Sequence, residues 1–247
     1  MRAFIKLSIM ALRLYLREPV AAFFVMAFPS LLLVLFGSIY GNTPTPLLGG
    51  RGTIDVSMPS YTGLILTTVA LMNIPITTSS YRELGVLRRF RASPLRPEAY
   101  LAADVSANLL MTLIGMVVLL VMARLIYHVE FPGQMAGFLV AVLLSCVAMF
   151  SLGYLIAGLA PGARLAQVAG MILLYPMMFL SGAGMPIELL PDSIRRISNF
   201  LPLTYAVNLL KGIWFGEAWS AHLLDVGVLA VMVVLLGGLA VRLFRWE

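Results

Sequence analysis

The residues of this chain that could do acid–base, nucleophilic or metal chemistry are few and scattered. There are two histidines, His128 and His222, one cysteine, Cys146, and two lysines, Lys6 and Lys211. His128 lies two positions before Glu130. One imidazole with one carboxylate lacks the ligand count of a zinc centre, and an interfacial polar cap is the simpler expectation. Cys146 stands inside a long apolar run, where a thiol packs as a small hydrophobe. No GxSxG, HExxH or GxxxxGK[ST] occurs, so nucleophile-elbow, zincin and P-loop chemistry all lack their parts. The expectation is a chain with no catalytic residues, no metal site and no ATPase activity of its own.

The elements that must carry such a sequence follow from its composition. Of 247 residues 61% are hydrophobic and only 11% charged, with a mean hydropathy of +0.97. A chain this apolar stays folded only where lipid solvates much of its surface. The charge-free intervals then count the spans. They are 32 residues between Glu18 and Arg51, 26 between Asp55 and Arg82, 19 between Asp104 and Arg124, 33 between Glu130 and Arg164, 23 between Arg164 and Glu188, and 16 between Asp225 and Arg242. A spanning helix needs about 20 mostly apolar residues. The fold class is therefore all-α and integral to a membrane, with spans at about 20–40, 60–80, 104–126, 136–158, 165–183 and 223–241. Ile197–Leu210 is too short to cross and is interrupted by Pro202, so 184–221 reads as an outer re-entrant or interfacial segment holding two short helices, one capped by Asp192. A loop rich in Gly, Pro and Thr is expected over Gly41–Pro59, and the short Tyr127–Met135 link joins spans 3 and 4 in a hairpin.

Six spans put both termini on one side. With the N-terminus inside, twelve of the seventeen Lys and Arg are cytoplasmic and five (Arg51, Arg124, Arg195, Arg196, Lys211) are outside, as the positive-inside bias requires. The expected location is the cell membrane, multi-pass, with cytoplasmic termini. The net charge of +6 is then a topology signal rather than a nucleic-acid footprint. Arg2, Lys6, Arg13 and Arg17 fall on one helical stripe within residues 1–17, which fits a helix lying in the interface with its cations toward anionic lipid, or a plain topogenic flank.

Span 2 carries Thr67, Thr68, Asn73, Thr77 and Thr78, and span 5 carries Met171, Tyr175, Met178 and Phe179 at helical spacing. Either set could be packing or could face a substrate. Because ionisable residues occur in the spans only at or near their ends, an ion-coupled carrier is disfavoured, and a permease without its own motor remains. Its largest cytoplasmic feature is 81–97. Arg82–Arg91 reads as a short helix leaving span 2, broken by Pro94 and Pro97.

Tyr81-Arg-Glu-Leu-Gly-Val-Leu-Arg-Arg-Phe-Arg-Ala-Ser-Pro-Leu-Arg-Pro97 resembles the cytoplasmic signature of type-2 ATP-binding-cassette (ABC) exporter permeases of the drug-exporter and ABCG-like kind. Phe179-Leu-Ser-Gly-Ala-Gly-Met-Pro-Ile-Glu-Leu-Leu-Pro191, followed by Leu201-Pro-Leu-Thr-Tyr205, is similar to that family's segment after span 5. The resemblance covers the chain as one transmembrane domain, 1–247. It implies a half-transporter: two permeases, identical or paralogous, pair in the lipid, and two ABC ATPase subunits holding the ATP and Mg dock from the cytoplasm. Residues 1–17 would be the connecting helix. Coupling would fall to Arg82, Glu83, Gly85, Leu87, Arg88, Phe90 and Arg91, and the substrate path to Thr67, Asn73, Thr77, Met171, Tyr175 and Met178. An outer gate would include Pro186, Glu188, Pro191 and Pro202. The cargo implied is hydrophobic or amphipathic, whether drug-like, lipid or lipid-linked. The rivals are a non-transporting scaffold, indifferent to bulky changes at Asn73 or Tyr175, and a carrier driven by a pH or sodium gradient.

Overall fold

The computed structural model describes residues 23–46, 50–91, 97–184 and 191–244. The 1–17 helix and the gate residues Pro186 and Glu188 lie outside them. Among the described residues the α-helices are α1 (Phe28–Tyr40), α2 (Thr53–Thr68), α3 (Ile74–Glu83), α4 (Val86–Arg91), α5 (Pro97–Tyr127), α6 (Met135–Leu159), α7 (Ala163–Leu180), α8 (Asp192–Ser198), α9 (Pro202–Trp214) and α10 (Leu223–Leu243). Six stretches are long and apolar enough to cross a membrane: Phe23–Tyr40, Thr53–Glu83, Leu101–Tyr127, Met135–Leu159, Ala163–Leu180 and Trp219–Leu243. They are spans 1 to 6 in order, and the all-α, six-span expectation holds.

Two prolines shape the spans that matter most. Pro29 and Pro75 are each the second residue of an α-helix, and each follows a five-residue π-helical turn, Phe23–Ala27 and Val69–Asn73. Proline has no N–H and its ring crowds the carbonyl four residues back, so the chain widens just before it. Span 2 is thus α2, a π turn and α3 in one rod of 31 residues, about 46 Å at 1.5 Å per residue.

Span 2 also begins earlier than the sequence suggests. The expected loop to Pro59 ends at Thr53, and Pro59 lies inside α2. Gly52 at the helix start has no side chain to cap it, and Asn42 supplies the cap from ten residues upstream. Its Oδ1 accepts from the Ile54 and Asp55 amides at 3.1 and 3.2 Å, satisfying two of the donors a helix start leaves free. Span 3 likewise extends beyond expectation, with α5 starting at Pro97, a position where proline's missing N–H is no loss. Span 5 stops at Leu180, short of 183. α8 starts at Asp192, so Pro191 rather than Asp192 stands at the N-cap position.

Span 2 is the centre of the bundle, buried along nearly all of α2. Its π turn is gripped from two sides by glycines. A Cβ on Gly153 of α6 would overlap the Ala70 carbonyl, and one on Gly170 of α7 would overlap the Leu71 carbonyl. Small residues allow this close backbone approach between membrane helices. Spans 3 and 4 pack on different partners rather than as a tight hairpin. α5 lies against span 1 and α2, whereas α6 lies against α10 and the π turn. Rows of large apolar side chains stay exposed on span 3 (Val117, Val121, Leu125) and span 6 (Val231, Val234, Leu235), as lipid-facing surfaces require.

Successive spans alternate in direction and give the bundle two ends. One carries α4, the α6–α7 turn and the end of α10. The other carries Asn42 and Gly52, the 128–134 link, α8 and α9.

Candidate functional site

Span 2, span 5 and the π turn of span 1 enclose a cavity of about 290 Å³. Asn73 and Thr77, four apart on α3, face it, as do Gln167, Met171, Tyr175 and Met178 on one stripe of α7. Phe24 and Phe28 of span 1 complete an apolar wall with Leu64, Met72 and Leu174. Five of the six path residues suggested by the sequence meet here. Thr67 does not: it is fully buried elsewhere in the core, and Thr68, about 100° further round the helix, lines the cavity instead.

The polar group at the centre of the wall is held from behind. Asn73 Nδ2 donates to Asn108 Oδ1 at 2.6 Å, and its Oδ1 accepts from Thr77 at 3.4 Å. Asn108 Nδ2 donates to the Asp104 carbonyl at 2.9 Å, and the Tyr154 hydroxyl donates to Asp104 Oδ2 at 2.5 Å. Spans 2, 3 and 4 are thus joined by a chain of polar groups that satisfies Asn73 in an apolar setting. Asn108 and Tyr154 were missed from the sequence. The i, i+4 pair Asp104 and Asn108 was the available signal. Among the described residues no charged side chain lines the cavity, and the side chains that do line it suit an uncharged or weakly polar aromatic or aliphatic guest.

At the α4 end, α3 stops at Glu83 and the chain turns at Gly85, whose φ of +67° only glycine adopts without cost. Arg82 reaches the last turn of α6: Nη1 donates to the Ala157 carbonyl at 3.1 Å and Nη2 to the Ala160 carbonyl. Glu83 Oε1 accepts from the Ala163 amide at 3.2 Å, at the start of α7. A cation thus sits on a helix C-terminus and an anion on the next helix N-terminus, the favourable pairing for both helix dipoles. The carboxylate meets a helix start rather than a basic side chain. Arg82, Glu83, Gly85 and Arg88 border a small polar cleft with Pro161 of the α6–α7 turn. Leu87 is fully buried, while Leu84 at the tip of the turn is 68% exposed beside exposed Arg88 and Arg89. Among the apolar residues of the turn, Leu84 rather than Leu87 is presented outward. Phe90 and Arg91 are in the last turn of α4.

At the opposite end, Pro191 precedes α8 and Pro202 opens α9. α9 buries one face, with Leu203, Val207 and Leu210 around Gly63 of α2. Trp214 stacks edge-on with Phe131 and Phe138 at 4.7 and 5.2 Å between ring centres. His222 lies over Gly212 of α9, and its two ring nitrogens are each 3.0 Å from a carboxylate, Asp225 and Glu217. Arg51 covers the Phe215 ring at 3.6 Å. Burial, then the nearby Arg51, lowers the Lys211 pKa, with Glu217 opposing. His128 has φ +55° at the end of α5, where Arg124 donates to the Val129 carbonyl; it ends a helix. Among the described residues no group of three His, Cys, Asp or Glu is placed to hold a metal.

A six-span helical bundle with an uncharged inner cavity and a capped, arginine-bearing turn is the architecture of a membrane permease. Residues 3–215 match the ABC-2 type transporter family; the chain belongs to that family. It is 25% identical over 234 residues to the daunorubicin resistance ABC transporter permease protein DrrB1 of Streptomyces coeruleorubidus, covering 92% of this chain and 80% of the relative. It is 33% identical over 88 residues to nodulation protein J of Rhizobium leguminosarum bv. viciae, covering 36% of this chain and 34% of the relative. It is also 23% identical over 194 residues to the probable multidrug ABC transporter permease YbhR of Escherichia coli, covering 76% and 51%. The chain spans between about a third and two fifths of the length of the nodulation relatives it matches.

Proposed function

We propose that this chain is the membrane subunit of an ATP-driven exporter, which moves a hydrophobic or amphipathic molecule outward through the cavity between spans 2 and 5. The observation that carries this reading is one continuous rod. Span 2 lines the cavity with Asn73 and Thr77 and, ten residues on from Asn73, ends in the Arg82–Gly85 turn that presents Leu84, Arg88 and Arg89. A push on that turn reaches the cavity wall through a helix. Two ABC ATPase subunits, binding ATP and Mg, dock against α4, and a second permease, identical or paralogous, completes the path. The α4 end and both termini face the cytoplasm, residues 1–17 serve as the connecting helix, and the segment from Pro186 through α9 closes the outer end as re-entrant structure. The names of two relatives, one a daunorubicin resistance permease and one a probable multidrug permease, favour a drug-like aromatic cargo over a glycan.

The test is to purify the chain with whatever ATPase accompanies it, reconstitute the complex in vesicles, and measure ATP-dependent accumulation of daunorubicin and of a fluorescent lipid. Asn73→Leu and Tyr175→Ala should change accumulation several-fold without loss of the complex. ATP hydrolysis by the chain alone, or accumulation driven only by an ion gradient, would overturn the reading. For sidedness, cysteines replacing Leu84 and Ala218 in a Cys146→Ala background should react with an impermeant thiol reagent in intact cells only at 218.

A further inference from the structure

The helix ends at the α4 turn carry more than a stable join. Arg82 and Glu83 are neighbours in sequence, so on a helix they point about 100° apart and do not serve one another. Each reaches across some 75 to 80 residues of sequence to a different helix: Arg82 to the carbonyls that end α6, Glu83 to the amide that starts α7. Gly162, between those two helices, leaves the space that the Glu83 carboxylate occupies, since a Cβ built there would overlap Oε1. Directly after the pair, Gly85 turns the chain into α4.

We propose that Arg82 and Glu83 are positioning residues that tie the end of α3, from which α4 leaves, to the α6–α7 turn, so that a displacement of α4 is delivered to spans 4 and 5 as well as to span 2. This rests on the exporter reading and adds a second output to it. Spans 2 and 5 pack on one another and both line the cavity. A turn linked only to span 2 would move one wall. A turn that also holds the start of α7 moves both, and the glycine contacts of Gly153 and Gly170 on the span 2 π turn keep the three helices in register during the motion. The Glu83 bond is exposed and the Arg82 bonds are half-buried; being charge-assisted and within reach of water, they can break and re-form through a cycle as a buried apolar contact cannot.

Gly162 gives a test that does not touch the charged pair. Its φ of −163° and ψ of 171° suit alanine as well as glycine, so Gly162→Ala acts chiefly by displacing the carboxylate. In the chain alone, held in lipid nanodiscs, hydrogen exchange over residues 160–166 should quicken by about tenfold in Glu83→Ala, the loss of one charge-assisted bond. It should stay near the wild-type rate in Glu83→Gln, which keeps an acceptor oxygen. Gly162→Ala should quicken it alike, and add nothing in the Glu83→Ala background. Transport per ATP hydrolysed, measured on the complex with its co-purifying ATPase, should fall in both Glu83→Ala and Gly162→Ala. Unchanged exchange in Glu83→Ala would show that the tie is absent. Faster exchange with transport per ATP at the wild-type ratio would reduce the pair to a structural cap and overturn the proposal. A wild-type complex that hydrolyses ATP and moves no cargo would sink the exporter reading, and the exchange series would still decide whether the tie exists.

Discussion

The two ends of the bundle are joined in opposite ways. Beyond spans 4 and 6, α9 is fixed mainly by dry contacts, Trp214 between Phe131 and Phe138 and Gly133 pressed against the Ile213 and Trp214 carbonyls, with the His222 pairs at its edge. At the α4 end, beside the buried Leu87, the join includes two charged side chains on two helix termini, with Glu83 and Arg88 in solvent. Apolar packing is lost in full once the surfaces part, whereas a charged group that leaves a helix end is rehydrated. The difference teaches that one end is built to hold its geometry and the other to exchange partners.

If that contrast is right, the largest loss of stability should come from Trp214→Ala. Trp214 is 1% exposed, and removing such a side chain costs about 3–5 kcal/mol, to be read as a drop in thermal midpoint in detergent. Gly133→Ala should follow at about 1–3 kcal/mol, because the new Cβ meets backbone that cannot swing aside. His222→Gln, which keeps at most part of the Asp225 and Glu217 pairing, should cost about 1 kcal/mol. Arg82→Gln should cost less than about 1 kcal/mol, the range for a cation at a helix C-terminus, yet should lower ATP-driven export more than any of the three changes lowers it per kcal/mol lost. An Arg82→Gln protein that melts as early as Trp214→Ala would break the comparison.

The smallest effect concerns pH. Lys211 has its pKa lowered by burial and by Arg51, so between that lowered value and the ordinary 10.5 the unfolded chain binds the extra proton. Stability contributed by this group rises with pH through that window and is constant below it. The thermal midpoint should therefore rise less with pH in Lys211→Met than in the wild type; equal slopes would place Lys211 in ordinary solvent.

Much of the cavity was legible before any fold was known. Asn73 and Thr77, and Met171, Tyr175 and Met178, are spaced as a helix spaces one face, and that periodicity is local. Thr67 was assigned to the path and Thr68, noted on the same span, was left out of it, because adjacent residues differ only by a rotation that the packing of span 2 decides. Leu84 and Leu87 pose the same ambiguity: either could anchor a partner, and the positive φ at Gly85 exposes the first while the bundle buries the second.

The sequence by itself determined the six spans and the all-α class. Hydrophobic length and charge spacing are properties of contiguous residues, and a bilayer tests them one segment at a time. It did not determine where the rods widen: π turns precede Pro29 and Pro75, whereas Pro59 and Pro176 lie inside unbroken α-helix, so packing chose between them. Tertiary structure alone decided that Asn42 caps α2, that Asn73 is held through Asn108, Asp104 and Tyr154, and that Arg82 and Glu83 divide themselves between α6 and α7. Apart from Asn108 to Asp104, each of these bonds joins groups a dozen to eighty residues apart, and a side chain's choice among equally polar partners at that distance is made only when packing brings one of them within about 3 Å.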